Sequence, residues 1–256
     1  GIALAVYILS LAPGVSFWDC GEFIASAWKL EVGHTPGAPV YMLLARLFSL
    51  LSPSPEHVPF TINLLSAVAS AFTIFFLYHT ISLLIRKIPG MKDITNRNRL
   101  IVIGGSIVGA LAYAFTDSFW FSAVEAEVYA ISSLFTALVF WAILKWDEYA
   151  DSYLAQKWIF LIAFLIGLSV GIHLLNLLAI PALILVYYFR KYQPTPKGVI
   201  KALLLSALIL LFLMEGIITG LPALAAGFEK IFVNGLGFPF NSGLIFFVCL
   251  VFALIA

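Results

Sequence analysis

Residues 60–85 contain no Asp, Glu, Lys or Arg. At about 1.5 Å per residue, a helix of that length exceeds the roughly 30 Å hydrocarbon core of a bilayer. Further apolar stretches, bounded by Pro, Gly or charge, occupy 100–116, 126–145, 158–172, 177–190 and 202–219. Two more, 1–12 and 244–256, are shorter than the roughly 20 residues a span needs and read as truncated helices. The first lacks the basic flank and small-residue cleavage site of a signal peptide. The chain is 62% hydrophobic and 11% charged, with mean hydropathy +1.06, against about 25% charge in soluble domains. The expected fold is therefore all-α: a polytopic transmembrane bundle of about eight passages, forming one membrane domain over residues 1–256. No repeat, low-complexity tract or linker divides it. A net charge of +1 offers nothing to a nucleic acid, and the partner implied is the lipid bilayer.

Two connections are rich in cations: Arg86, Lys87, Lys92, Arg97 and Arg99 in one, Arg190, Lys191, Lys197 and Lys201 in the other. The positive-inside rule makes both cytoplasmic. Counting passages from them places 146–157 on the same side and 13–59, 117–125, 173–176 and 220–240 on the opposite one. The segment 39–51 reaches only about 20 Å as a helix, so it lies in the interface or re-enters. Residues 158–190 read either as two short helices or as one long tilted helix.

On this topology Asp19, Glu22, His34, Asp117, Glu125, Glu127 and His173 all fall on the extracytoplasmic face. Charges near a bilayer are costly, so their gathering points to function. Asp19 and Glu22 are three apart; a helix beginning near Asp19 turns both carboxylates to one side, and Asp19 also suits an N-cap. Phe17, Trp18 and Phe23 are expected to surround the acids with apolar rings, a setting that raises a carboxyl pKa. After His34, the Pro36-Gly37-Ala38-Pro39 turn either brings backbone amides to a ligand or simply reverses the chain.

Asp117 begins a second cluster, with Glu125, Glu127 and Tyr129. On a helix Glu125 and Glu127 point about 200° apart, so one is expected to serve structure. Glu125 is expected to pair with a cation, and Glu127 to need a buried partner or a water-filled cavity. In the third cluster, the Gly167 and Gly171 spacing reads as a close-packing face for membrane helices leading to His173 and Asn176. No His-x-x-x-His or paired Cys spacing marks a transition-metal site. No cofactor is expected; a hard cation on Asp19, Glu22 and Glu125 with a pyrophosphate is the less favoured option. Cys20 and Cys249, in a polar loop and a membrane run, are not expected to pair.

The stretch Phe17-Trp18-Asp19-Cys20-Gly21-Glu22-Phe23, followed by His34-Thr35-Pro36-Gly37-Ala38-Pro39, resembles the Asp-x-Gly-Glu and His-x-Pro-Gly-x-Pro signature of the glycosyltransferase 117 family. That family was long catalogued as a domain of unknown function. It is common in Bacteroidetes and related to a eukaryotic endoplasmic-reticulum protein O-mannosyltransferase. Ala126-Glu127-Val128-Tyr129 and Gly171-Ile172-His173 are similar to it as well. The resemblance implies a GT-C-type fold whose first extracytoplasmic loop, here 13–59, carries interfacial helices and the acidic catalytic residue. It also implies a bacterial inner membrane with the active site on the periplasmic face.

The reaction implied moves a sugar, mannose being one option, from a polyprenyl phosphate to a hydroxyl, of protein Ser or Thr or of a glycan. In that reading Asp19 is the base and Glu22 orients it or the acceptor; a single displacement inverts the anomeric configuration, and retention would need two flanking carboxylates at covalent-intermediate spacing. Lys29, His34, Arg46 and His173 are candidates for the phosphate, with Lys29 and Arg46 equally suited to snorkelling. Trp18, Gly37, Asp117, Glu125, Glu127, Tyr129 and Asn176 are candidates for the acceptor or pocket. Two other readings stand beside it: a transporter or lipid-handling protein with a proton path through the acids, and a non-catalytic membrane scaffold.

Overall fold

A computed structural model of the chain describes residues 1–91, 93 and 95–255. Lys92, counted among the cytoplasmic cations, lies outside the described residues. Every regular element described is a helix. In order these are α1 (Ile2–Leu9), α2 (Cys20–Lys29), α3 (Pro39–Ser49), α4 (Val58–Arg86), α5 (Asn96–Ala114), α6 (Asp117–Ala123), α7 (Val128–Glu148), α8 (Ala155–Val170), α9 (Ala179–Lys191), α10 (Pro196–Leu211), α11 (Gly220–Lys230) and α12 (Ser242–Ile255). The chain divides into two compact units, Gly1–Lys191 and Tyr192–Ala256, although no linker composition marks the division.

In the first unit α4 is the central helix and packs against α1, α3, α5 and α7. Its buried Ser66, Ala67, Ala69 and Ser70 let neighbouring backbones approach closely, the usual way membrane helices gain van der Waals contact. Asn63, fully buried, donates from Nδ2 to the carbonyls of Ala12 (2.8 Å) and Gly14 (3.0 Å), tying the chain after α1 to α4. Thr95 caps α5, its hydroxyl accepting from the Asn98 amide. The α5 and α6 axes meet at a 72° bend.

At the C-terminal end of α4, Lys87 pairs with Asp147 of α7, and Arg190 of α9 reaches the same carboxylate from Nε at 3.3 Å. Arg190 also pairs with Asp151, and Lys191 Nζ donates to the Ala150 carbonyl at 2.9 Å. The ends of α4, α7 and α9 and the 149–154 connection are thus gathered at one end. This decides between the two readings of 158–190. The chain leaves that end along α8, breaks at Gly171–His173, and returns along α9, so there are two helices.

Of the eight passages expected, four described stretches have the length and apolarity to cross a bilayer: Pro55–Arg86, Val128–Glu148, Leu174–Lys191 and Pro196–Gly235. The bent α5–α6 pair makes a fifth if taken as one span. α8 and α12, with 16 and 14 residues, are shorter than that.

The second unit corrects one expectation. Residues 220–240 are expected as a connection after the apolar stretch 202–219, yet the helix runs on from Pro196 to Gly235. A π-helical stretch, Phe212–Thr219, precedes Pro222, and such local rearrangements accommodate the donor that proline lacks. The forty residues extend about 60 Å, twice a hydrocarbon core. α11 packs on α12 through Phe228, Phe246 and Phe247, and Glu229 accepts from the Asn241 and Leu244 amides at 2.6 and 3.0 Å.

Candidate active site

Two left-handed residues bend the first loop back on itself. Leu30 (φ 55°) ends α2, and Ala38 (φ 38°) immediately precedes α3. Neither is glycine, and non-glycine residues adopt this region at a cost that functional loops often carry. The reversal brings His34 onto Glu22, twelve residues earlier. The His34 amide donates to Glu22 Oε1 at 2.5 Å and its Nδ1 lies 3.0 Å from Oε2. The backbone and ring hydrogen bonds from His34 hold the Glu22 carboxyl below its usual range, and Glu22 in turn raises His34.

The loop is fastened to the α8–α9 break by the Val40 amide, which donates to the Gly171 carbonyl at 2.8 Å. A Cβ on Gly171 would lie 2.5 Å from Val40 Cγ2, so this approach requires glycine. Gly167 has no neighbour within 4 Å of such an atom. The expected Gly167–Gly171 packing face is therefore not used as a pair; only Gly171 makes a close approach, and it meets α3.

Beneath the loop, Phe23, Tyr41, Met42, Ile62, Ile131 and Ile172 form a buried cluster joining α2, α3, α4, α7 and the α8–α9 break. On that floor sits a cavity of about 100 Å³ whose lining includes Asp19, His34, Gly37, Glu127, Tyr129 and His173. Three segments distant in sequence thus meet in one hollow. His173 packs its ring 5.3 Å from that of Tyr129 and accepts the Leu175 amide at Nδ1 (3.3 Å). Burial lowers its pKa, so it stands as a neutral imidazole with its proton on Nε2.

Glu125 and Glu127 are both buried, 4% and 5% exposed. They lie in the turn between α6 and α7, so the helical angle between them does not apply. The Cys20 thiol donates to Glu127 Oε1 at 3.7 Å. No ion pair to Glu125 occurs among the described residues, so the expected cation partner is not found there. Burial raises both carboxyls, with the charge of Asp19 adding to the effect at Glu127. Burial also pushes the Cys20 thiol up to about 12. Cys20, fully buried, is the site residue that sequence reasoning missed; its position between Asp19 and Glu22 was the available signal.

Other expectations are redistributed. Phe17 and Trp18 are each 85% exposed and do not enclose the acids; Trp18, at φ 61°, turns outward, and of the three rings only Phe23 lines the cavity. Asp19 holds the N-cap position of α2 without a side-chain cap bond, leaving its carboxylate to the cavity. Lys29 pairs with Glu31 at 3.9 Å. Arg46 donates to the Trp28 carbonyl at 2.5 Å and lies 5.0 Å over the Trp28 ring, stapling α3 to α2. Asp117 is exposed on α6. None of Lys29, Arg46, Asp117 and Trp18 lines the cavity.

Of the three cation ligands expected, Asp19 and Glu22 converge, with His34 in place of Glu125: their ligand atoms lie within 4.8 Å of one another. All three are exposed, and Glu22 and His34 already satisfy each other, so the group is accounted for as a charge network. Cys20 and Cys249 are both free thiols.

Asn176 lines a second, larger cavity of about 510 Å³ with Thr73, Ile81, Tyr113, Thr136 and Phe140, among α4, α5 and α7. Its Oδ1 accepts from Ser132 (2.9 Å) and Thr136 (2.8 Å). The two cavities are neighbours in the chain: Tyr129 and His173 line the first, Ser132 and Leu175 the second.

Comparison with known proteins bears on the same part of the chain. A family model described as the protein O-mannosyl-transferase TMEM260 N-terminal domain matches residues 19–196. The chain is 28% identical over 165 residues to a Mus musculus protein named protein O-mannosyl-transferase TMEM260, covering 64% of this chain and 21% of that protein. It is 25% identical over 135 residues to a Dictyostelium discoideum protein named protein O-mannosyl-transferase tmem260, covering 52% and 15%. The chain thus spans about a fifth or less of the length of these relatives. No solved structure matches it. The matched region contains Asp19, His34, Glu127 and His173, and the chain belongs to the family of the protein O-mannosyl-transferase TMEM260 N-terminal domain.

Proposed function

We propose that this chain carries the reaction centre of a membrane glycosyltransferase of GT-C type, which transfers a sugar from a polyprenyl phosphate to a protein Ser or Thr hydroxyl on the extracytoplasmic side. The relatives' names point to mannose. The observation that carries the reading is the meeting of Asp19, His34, Glu127 and His173 in one cavity, beside a larger and mostly apolar cavity among the helices.

The chemistry follows from the groups present. A Ser or Thr hydroxyl is a weak nucleophile, and Asp19 takes its proton as the oxygen attacks the anomeric carbon. The bond from that carbon to the phosphate oxygen breaks, and its electron pair leaves with the phosphate. One displacement inverts the anomeric configuration. His34, whose protonated form Glu22 favours, and His173, offering Nε2–H, receive the phosphate charge. The prenyl chain lies in the cavity bounded by α4, α5 and α7, where its transfer from water is unnecessary.

A transporter would need ionisable groups along a route to the midplane. None of the residues lining the larger cavity is Asp, Glu, Lys, Arg or His. Incubating the purified protein with prenyl-phosphate mannose and hydroxyl-bearing peptides, followed by mass spectrometry, tests the proposal. A hexose added to Ser or Thr is the expected product. Lipid movement across proteoliposomes with no glycoside formed would favour the carrier instead.

A further inference from the structure

The cavity holds two carboxyl groups in opposite surroundings, and the reaction above uses only one of them. Asp19 is exposed at the mouth, whereas Glu127 is 5% exposed at the wall. Among the described residues no Lys, Arg or His forms an ion pair with Glu127. A buried carboxylate without a counter-charge is destabilised by several kcal/mol, and a bound proton removes that penalty.

The groups facing Glu127 sharpen the contrast. From α2 come the Asp19 carboxylate and the Cys20 thiol; from the turn before α7, Glu125; from α3, the Tyr41 phenol; from the loops, His34 and His173. His34 is committed to Glu22, His173 is neutral, and the Cys20 thiol donates to Glu127 Oε1. Burial is the leading cause raising Glu127, the charge of Asp19 adds to it, and hydrogen bonds from Cys20 and the Val128 amide oppose it with a smaller combined effect.

We propose that Glu127 works as a neutral carboxylic acid, donating a hydrogen bond to the leaving phosphate oxygen while the Asp19 carboxylate receives the acceptor's proton. This rests on the transferase reading. Two carboxyls whose surroundings divide them into acid and base are a recurrent solution to running both roles at one pH. The Glu127 proton stays on Glu127; the proton taken by Asp19 passes to the departing phosphate or to water. The donor matters most as the C–O bond breaks and charge builds on the phosphate, where one well-placed donor is worth roughly 10²–10³ in kcat.

The test compares wild-type protein with Glu127→Gln and Glu127→Ala in proteoliposomes, using prenyl-phosphate mannose as donor. Glu127→Gln, which still donates a hydrogen bond, should keep transfer within about tenfold, whereas Glu127→Ala should lose about 10²–10³. Full transfer by Glu127→Ala, or a loss in Glu127→Gln as large as that in Glu127→Ala, overturns the assignment. Infrared difference spectroscopy gives a readout independent of turnover and of the alanine variant's folding. The C=O band of a neutral acid at neutral pH should vanish in Glu127→Gln; its absence from wild type overturns the proposal. A wild-type protein that shows the band and transfers no sugar defeats the transferase reading, and the phosphate role with it.

Discussion

The amide of Val40 donates to the carbonyl of Gly171 at 2.8 Å, joining the start of α3 to the point where α8 gives way to α9. Through this bond the loop carrying Asp19 and His34 is registered against the segment carrying His173.

Gly171→Ala would place a methyl 2.5 Å from Val40 Cγ2. Val has little freedom at χ1, so the strain falls on the backbone contact. The expected loss is about 1–3 kcal/mol, the usual range for overpacking. Thermal unfolding in detergent measures it, and Val40→Ala in the same chain should restore most of the loss.

The Glu22–His34 pair gives the first loop a pH window. His34 is raised above 6.5, so its contribution is complete below 6.5 and is lost as pH rises through the raised value. Glu22 is lowered from 4.5, so its contribution is complete above 4.5 and is lost as pH falls through the lowered value. Loop order should therefore peak between 4.5 and 6.5. Both groups are exposed, so salt should weaken the effect. Hydrogen-exchange protection factors across 31–39 should follow this profile in wild type and flatten in His34→Gln.

Asn176→Ala removes the acceptor shared by Ser132 and Thr136. Interhelical hydrogen bonds in membranes are modest because the unfolded helices find other partners. A loss of about 1–2 kcal/mol is expected, read as a shift in denaturant midpoint. Ser132→Ala should cost less in the Asn176→Ala background than alone, since the bond is already gone.

These relationships divide into those the sequence made legible and those it hid. Apolar length announced α4 and α7, and counting passages from the cation-rich connections put Asp19, His34, Glu127 and His173 on one face; the four line one cavity. Local pattern could not show that Leu30 and Ala38 take left-handed backbone, because neither is a glycine; without that bend, Glu22 and His34 look unrelated. The two-residue spacing of Glu125 and Glu127 misled because periodicity assumes a helix, and the chain turns there. Cys20 looked like an incidental loop residue until its thiol was found against Glu127. The helix through Gly220 and Pro222 was hidden for the opposite reason: residues that end helices in water are tolerated where a π-helical stretch rearranges the bonds beside them.

The central claim is that Asp19 is the base of a sugar transfer carried out in the cavity it shares with Glu127. The direct measurement is the rate of hexose transfer to a Ser/Thr peptide by Asp19→Asn, beside Glu56→Gln, a change of an exposed loop acid outside the cavity. The account predicts a fall of about 10²–10⁴ for Asp19→Asn, the usual worth of general base catalysis, with an unaltered melting temperature and no change for Glu56→Gln. Transfer by Asp19→Asn at the wild-type rate would contradict it.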